Sequence, residues 1–172
     1  ITSGLVIIDQ HVAHERILFE EAMKSFDSNP MSAQTLLFPE VMEFSPDDFS
    51  VLLDVLTYLE KMGFRMSQFG DNKIMVEAIP SEMSWGNEKL IIREMLDNYL
   101  ENQKEYSSFQ EALAASFACK AAIKAGDVLN VDEMRELVNR LFGTKHPYYC
   151  PHGRPIIVQL SMEELDRRFE RI

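Results

Sequence analysis

Strand-like segments stand near both ends of this chain, and a helix–hairpin–helix pattern lies between them. Residues 4–8, GLVII, and residues 154–161, RPIIVQLS, are apolar runs with β-branched content. Both read as short buried strands. Between them, SPDDFSVLLDVLTYLEKMGF is an amphipathic helix, with Ser45 as cap, Pro46 at its first position and Gly63 at its end. Its apolar positions Phe49, Leu52, Leu53, Leu56 and Leu59 are expected inward. FRMSQFGDNKIMVEAIP then reads as two strands around a Gly-Asp-Asn turn. NEKLIIREMLDNYLENQKE is a second amphipathic helix, with Leu90, Ile91, Met95, Tyr99 and Leu100 inward.

This order predicts an α/β (α+β) chain of two nested lobes. Residues 1–31 and 107–172 would form an outer lobe, and residues 32–106 an inserted one. The outer lobe would hold a helix from about residue 11 to 25 and an alanine-rich helix in SSFQEALAASFACKAAIKAGD, closed by Gly126. It would also hold a helix in NVDEMRELVNRLFG, capped by Asn130 or Asp132, and a short closing helix in SMEELDRRFERI. QTLLFPEVMEF is extended, and Pro39 inside it points to an edge strand or a linker.

At 172 residues the chain fits one compact domain or two small lobes. The start, ITSGLVIID, falls in or just before a strand, so the chain reads as a fragment from which a targeting segment could be missing. No apolar run is long enough to span a membrane. Two cysteines, Cys119 and Cys150, could pair, but so few do not make a secreted disulfide framework, and a cytoplasmic location is expected. The net charge of −11 repels nucleic acid at long range. A role on DNA then needs a tether or a local basic patch.

The first strand runs into DQHVAHERILFEE, where the chemistry concentrates. His11 and Glu15 are one helical turn apart on one face. Asp9 sits at the strand end, where it either caps the helix or joins them. His14 is about 60° off that face and Glu20 about 140° from Glu15, so both read as surface or supporting residues. Near the other end, YYCPHGRP places Cys150 and His152 two apart in an extended segment, so that both point to one side. Cys-x-His is a compact pair for zinc; a buried cysteine beside a turn histidine is the plain alternative. Cys119 lies mid-helix among small residues, where a cysteine usually acts as a small hydrophobe. Lys120 and Lys124 would share a face of that helix and, with Arg154, could make a small cationic patch; solvated lysines are the alternative. Six candidate ligands, Asp9, His11, Glu15, Cys119, Cys150 and His152, exceed one tetrahedral site and suit two ions sharing a carboxylate. The chain has neither the His-Glu-x-x-His pattern of zinc proteases nor a Gly-rich phosphate loop.

Three motifs in order give the chain a resemblance to the C-terminal domain family of MutL-type mismatch-repair proteins, in its endonuclease-bearing form. DQHVAHERILFE resembles the family's Asp-Gln-His-Ala-x2-Glu-x4-Glu motif, with Val12 where alanine is usual. ACKAAIK resembles an Ala-Cys-Arg-type segment, with Lys120 for the arginine; CPHGRP matches a third motif, and FERI resembles the family's Phe-x-Arg tail. The resemblance implies a dimerisation lobe built from the chain ends around an inserted regulatory lobe. It places Asp9, His11, Glu15, Cys119, Cys150 and His152 on metal-site positions, with Asp9 and Glu15 catalytic. It implies nicking of one strand of duplex DNA, supported by Mn2+ or Mg2+, with Zn2+ structural or regulatory. The implied partners are a second copy of the chain, DNA, the sliding clamp and, through the full-length protein, the mismatch-recognition protein MutS. ATP binding is expected only in a missing N-terminal region, and the implied setting is bacterial and nucleoid-associated.

Within the same resemblance, QTLLFP looks like a clamp-binding segment: Gln34 would fix register while Leu36, Leu37, Phe38 and Pro39 enter an apolar pocket. An ordinary strand of the inserted lobe is the alternative. Some members of the family lack the nuclease motifs, so a non-catalytic zinc-binding dimerisation scaffold is the second reading.

Overall fold

A computed structural model of the chain describes residues 4–84 and 86–171; the last residue of the FERI tail lies outside them. The elements in order are β1 (Gly4–Ile8), α1 (Gln10–Asp27), β2 (Ala33–Glu43), α2 (Pro46–Lys61), β3 (Arg65–Gln68), β4 (Lys73–Pro80), α3 (Glu88–Asn102), α4 (Phe109–Ala121), α5 (Val131–Phe142), β5 (Ile157–Ser161) and α6 (Met162–Arg168). A short 3-10 turn, Gln103–Glu105, follows α3. The fold is α/β, with helices and two small antiparallel sheets. Contacts divide it into Ile1–Ile17 with Ile123–Ile172, and Leu18–Ala122. Residues 18–31 and 107–122 thus fall in the second unit, and the boundary lies inside α1.

In the first unit β1 pairs antiparallel with β5, from Gly4 opposite Ser161 to Ile8 opposite Ile157. Both segments are strands, but neither is buried. Leu5 is 48% exposed, Ile7 49% and Val158 46%. The pairing explains why: Leu5 faces Leu160 and Ile7 faces Val158, so these four share one side of the two-stranded sheet. The core beneath is small: Val12, Ala13, Ile17, Leu141, Cys150 and Ile156, with Ile8, Leu137 and Ile157 against it. Asn130 caps α5 through a full capping box with Glu133, and Ser161 caps α6.

The second unit is built on the sheet β2-β4-β3. β2 is an edge strand, as Pro39 requires, and its register with β4 breaks between Thr35 and Glu40. β3 and β4 form the hairpin around Gly70 and Asn72, both at positive φ. Ser45 caps α2 by accepting from the Asp48 amide. After its C-terminus Gly63 takes φ +96, where a Cβ would meet Ser32 O at 3.0 Å.

Two helix faces differ from the expected ones. On α2, Val55 is buried and Leu53 is exposed. On α3 the buried residues are Ile92, Met95, Leu96 and Tyr99, while Leu90 is exposed. Both helices carry more apolar residues than one face holds, so the packing partner selects the stripe. For α3 that partner includes α4, whose residues 112–118 are all buried. Phe117 of α4 meets Phe64 edge-on, ring centroids 6.1 Å apart.

The alanine-rich helix also ends earlier than expected. Ala122 leaves α4 with ψ 145, and Gly126 lies in a following turn at φ +95 rather than closing the helix. Lys124 is therefore off the helix, in the other unit from Lys120, and the two do not share a helical face.

Candidate metal centre

Asp9 stands between β1 and α1 and caps the helix: its Oδ1 accepts from Val12 N at 3.0 Å. The cap starts α1 immediately, so the next residues face the rest of the first unit. Gln10 Nε2 donates to Lys124 O at 3.1 Å and to Asp127 O at 2.8 Å. The backbone of Ile123 is held at both its N–H and its carbonyl. His11 Nδ1 donates to its carbonyl at 2.7 Å, and its N–H donates to His14 Nδ1 at 3.0 Å. These contacts assign opposite ring tautomers: His11 carries its proton on Nδ1, whereas Nδ1 of His14 is the acceptor. They also account for the early end of α4, because a backbone captured by two imidazoles from α1 no longer continues a helix.

One turn on from His11, Glu15 is almost wholly buried. A buried carboxylate needs a partner. It finds one in His152, whose Nδ1 lies 2.9 Å from Glu15 Oε1. Cys150 belongs to the same place: ligand atoms of Glu15, Cys150 and His152 all lie within 4.8 Å of one another. Among the described residues this is the one group of three or more such side chains so gathered.

The loop that presents Cys150 and His152 is a closed knuckle. Cys150 N donates to Arg154 O, Gly153 N to Cys150 O and Ile156 N to Tyr148 O, each at 2.9 Å. Gly153 sits at φ +80, which the tight turn requires. Tyr149 bridges to Pro155, and Asp9 N donates to Ile156 O at 3.0 Å, which brings the knuckle to the start of α1. Arg16 Nε donates to Tyr149 O at 2.6 Å from the other side. The sulfur, imidazole and carboxylate set has the donor chemistry of a zinc site, and the buried carboxylate fits a cation.

The sequence-derived candidates thus separate. Glu15, Cys150 and His152 come together; Asp9 and His11 lie in the same unit and are engaged with backbone, outside the three-residue group. Cys119 is on α4 of the second unit, and both cysteines are thiols rather than halves of a disulfide. Lys120 pairs with Glu94 at 3.4 Å, and Arg154 is exposed on the knuckle. Gln34 Nε2 donates to Met83 O at 2.7 Å and to Pro80 O at 3.3 Å. Leu36 is buried, whereas Leu37 is 81% and Phe38 77% exposed. Gln10 and Arg16 were not among the candidates; a polar side chain that binds a distant carbonyl leaves no spacing pattern.

Residues 2–129 match the family described as the MutL C terminal dimerisation domain. The chain belongs to that family. The matched region includes Asp9, Glu15 and Cys119 and ends before the Cys150–His152 knuckle. Similarity to whole MutL proteins extends over the knuckle as well. The chain is 42% identical to the DNA mismatch repair protein MutL of Chlorobium phaeobacteroides strain BS1 over 99% of its length, covering 28% of that protein. It is 45% identical to that of Chloroherpeton thalassium and 41% to that of Pelodictyon phaeoclathratiforme, each again over 99% of this chain. The chain thus spans less than a third of the MutL relatives it matches, which cover 27–28% of their own lengths in the match. Among the described residues no helix is long and apolar enough to cross a membrane.

Proposed function

We propose that this MutL C-terminal domain is a homodimerising, metal-dependent endonuclease that nicks one strand of duplex DNA in mismatch repair. The observation that carries the proposal is the gathering of Glu15, Cys150 and His152 from α1 and the knuckle. These three would hold one zinc-class ion, exchanging the Glu15–His152 bond for bonds to the cation. Asp9 and the Nε2 of His11 would serve a second ion, Mn2+ or Mg2+, beside Glu15. Cys119 enters the ligand set on its sequence motif alone. Bound divalent ions supply Lewis acidity and lower the pKa of water, which phosphodiester hydrolysis needs. The chain's own part is to orient the donors: His11 through Ile123, and the knuckle through its backbone bonds. Arg154 and Lys124, with Lys120, would meet DNA phosphates.

Dimerisation would use the exposed side of the β1–β5 sheet, where Leu5, Ile7, Val158 and Leu160 make an apolar patch. The net charge of −11 makes unaided DNA binding weak, so tethering matters. Leu37, Phe38 and Pro39 project from the broken register of β2 and would dock in the pocket of a sliding clamp, with Gln34 holding the strand in place. The N-terminal ATPase region of a full-length MutL, and MutS acting through it, would complete the recruitment.

A second reading, a non-catalytic zinc-binding dimerisation scaffold, is favoured by the three-residue group itself, which suffices for a single structural ion with one further donor. A supercoiled-plasmid assay with Mn2+, with and without the clamp, separates the two. Nicking by the wild-type domain that is absent in Asp9→Asn supports the nuclease. Tightly bound zinc without nicking in either condition supports the scaffold.

A further inference from the structure

The knuckle's shape and its position have different causes. Its shape comes from the backbone bonds among Tyr148, Cys150, Gly153, Arg154 and Ile156, reinforced by Arg154 N, 3.4 Å from Cys150 Sγ. These bonds are internal and do not aim the loop at Glu15. The outgoing strand is fastened by Asp9 N to Ile156 O at 3.0 Å. The incoming strand is fastened by Arg16 Nε to Tyr149 O at 2.6 Å. That carbonyl belongs to the peptide that joins Tyr149 to Cys150. Arg16 is the residue after Glu15 on α1, and it is buried. Neighbouring residues of one helix therefore reach the same loop, one through a carboxylate on His152 and the other through a guanidinium on the backbone. The planar guanidinium presents its N–H groups in a fixed fork, so a bond from Nε sets both distance and direction.

We propose that Arg16 is a positioning residue for the metal centre: it holds the Tyr149–Cys150 peptide against α1 so that Cys150 Sγ and His152 stay within reach of Glu15. This inference rests on the metal-site reading above. Lysine keeps the charge and the length but has no directed Nε–H, so Arg16→Lys removes the aim of the loop while retaining a cation. Outer contacts of this kind are worth about 10–100-fold in metal affinity.

The test is titration of the metal-free domain with Co2+, following the thiolate-to-cobalt charge-transfer band, in wild type, Arg16→Lys and Cys150→Ser. The expected result is a band in wild type, none in Cys150→Ser, and in Arg16→Lys a weaker or displaced band with a Kd raised about 10–100-fold. The metal-free Tm of Arg16→Lys should stay within a few degrees of wild type, which a loss of packing would not allow. Wild-type affinity and band in Arg16→Lys would overturn the positioning role and leave the metal site standing. No cobalt binding by wild type would remove both. Should Arg16→Lys fail to fold, the wild-type Arg16 Nε–H can be followed by NMR. It should exchange slowly in the metal-free and the zinc-loaded chain alike; fast exchange in a chain that still binds zinc overturns the proposal.

Discussion

Glu15 Oε1 and His152 Nδ1 lie 2.9 Å apart, joining the middle of the first helix to the loop before the last strand. The carboxylate is buried and the imidazole is at the surface, with Cys150 beside them. Without an ion a pair so placed ties the first helix to the knuckle directly; with an ion at the proposed site the tie would run through the ion. An ion held at the proposed site would add linkage: whatever binds only the folded state stabilises it.

Metal removal should therefore lower thermal stability. With zinc at a hundred times Kd the gain is about 2.7 kcal/mol. For a chain of this size that corresponds to a Tm rise of roughly 5–10 °C over the chelated protein. Differential scanning calorimetry with and without chelator checks this. Glu15→Gln should show no zinc-dependent rise.

The exposed side of the β1–β5 sheet predicts the oligomeric state. Ile7→Asp places a charge between Leu5 and Val158, on a side chain already 49% exposed. The fold should tolerate it, while self-association weakens by two orders of magnitude or about 3 kcal/mol. Sedimentation of wild type and variant across a concentration series reads the difference. A variant that stays as dimeric as wild type excludes this face.

The bulged edge strand separates binding from stability. Replacing Leu37 and Phe38 by alanine should abolish clamp binding in a calorimetric titration and change stability by less than about 0.5 kcal/mol for each residue. Leu36→Ala, next in sequence but buried, should cost about 2–5 kcal/mol. Clamp binding that survives the double substitution moves the docking site elsewhere.

The second unit should weaken at high pH. Burial, and then the Asp54 carboxylate, push the Tyr99 phenol above its ordinary value of 10.0. The folded chain thus favours the neutral phenol. Its contribution is fully present below the unfolded value and is lost as pH rises from about 10 through the raised folded value. Denaturant titrations above pH 10 should show stability falling faster in wild type than in Tyr99→Phe.

Much of the fold is legible along the chain because its signals are local. Ser45 and Asn130 cap where capping residues should, the Gly70–Asn72 turn makes its hairpin, and Pro39 marks an edge. The misreadings have tertiary causes. ACKAAIKAG is compatible with helix to Gly126, but His11 and His14 capture the Ile123 backbone and stop it sooner. Leu90 and Leu53 carry the hydrophobicity of core residues, yet the neighbouring elements choose Ile92 and Val55. Leu5, Ile7 and Val158 read as core because an apolar strand side has the same pattern whether it faces the interior or a partner. In the candidate centre, the convergence of Cys150 and His152 is legible from their spacing; the helical face of Glu15 pairs it with His11, which lies outside the gathered group, so the meeting of Glu15 with the knuckle is tertiary. Gln10 and Arg16 are not legible, since their partners are backbone carbonyls far along the chain.

The most direct test is zinc X-ray absorption of the zinc-loaded domain. Coordination by Cys150 with Glu15 and His152 predicts a sulfur shell at about 2.3 Å and nitrogen or oxygen at about 2.0–2.2 Å, with the sulfur contribution reduced in Cys150→Ser. A spectrum without sulfur, or one that Cys150→Ser leaves unchanged, would contradict the proposed metal centre.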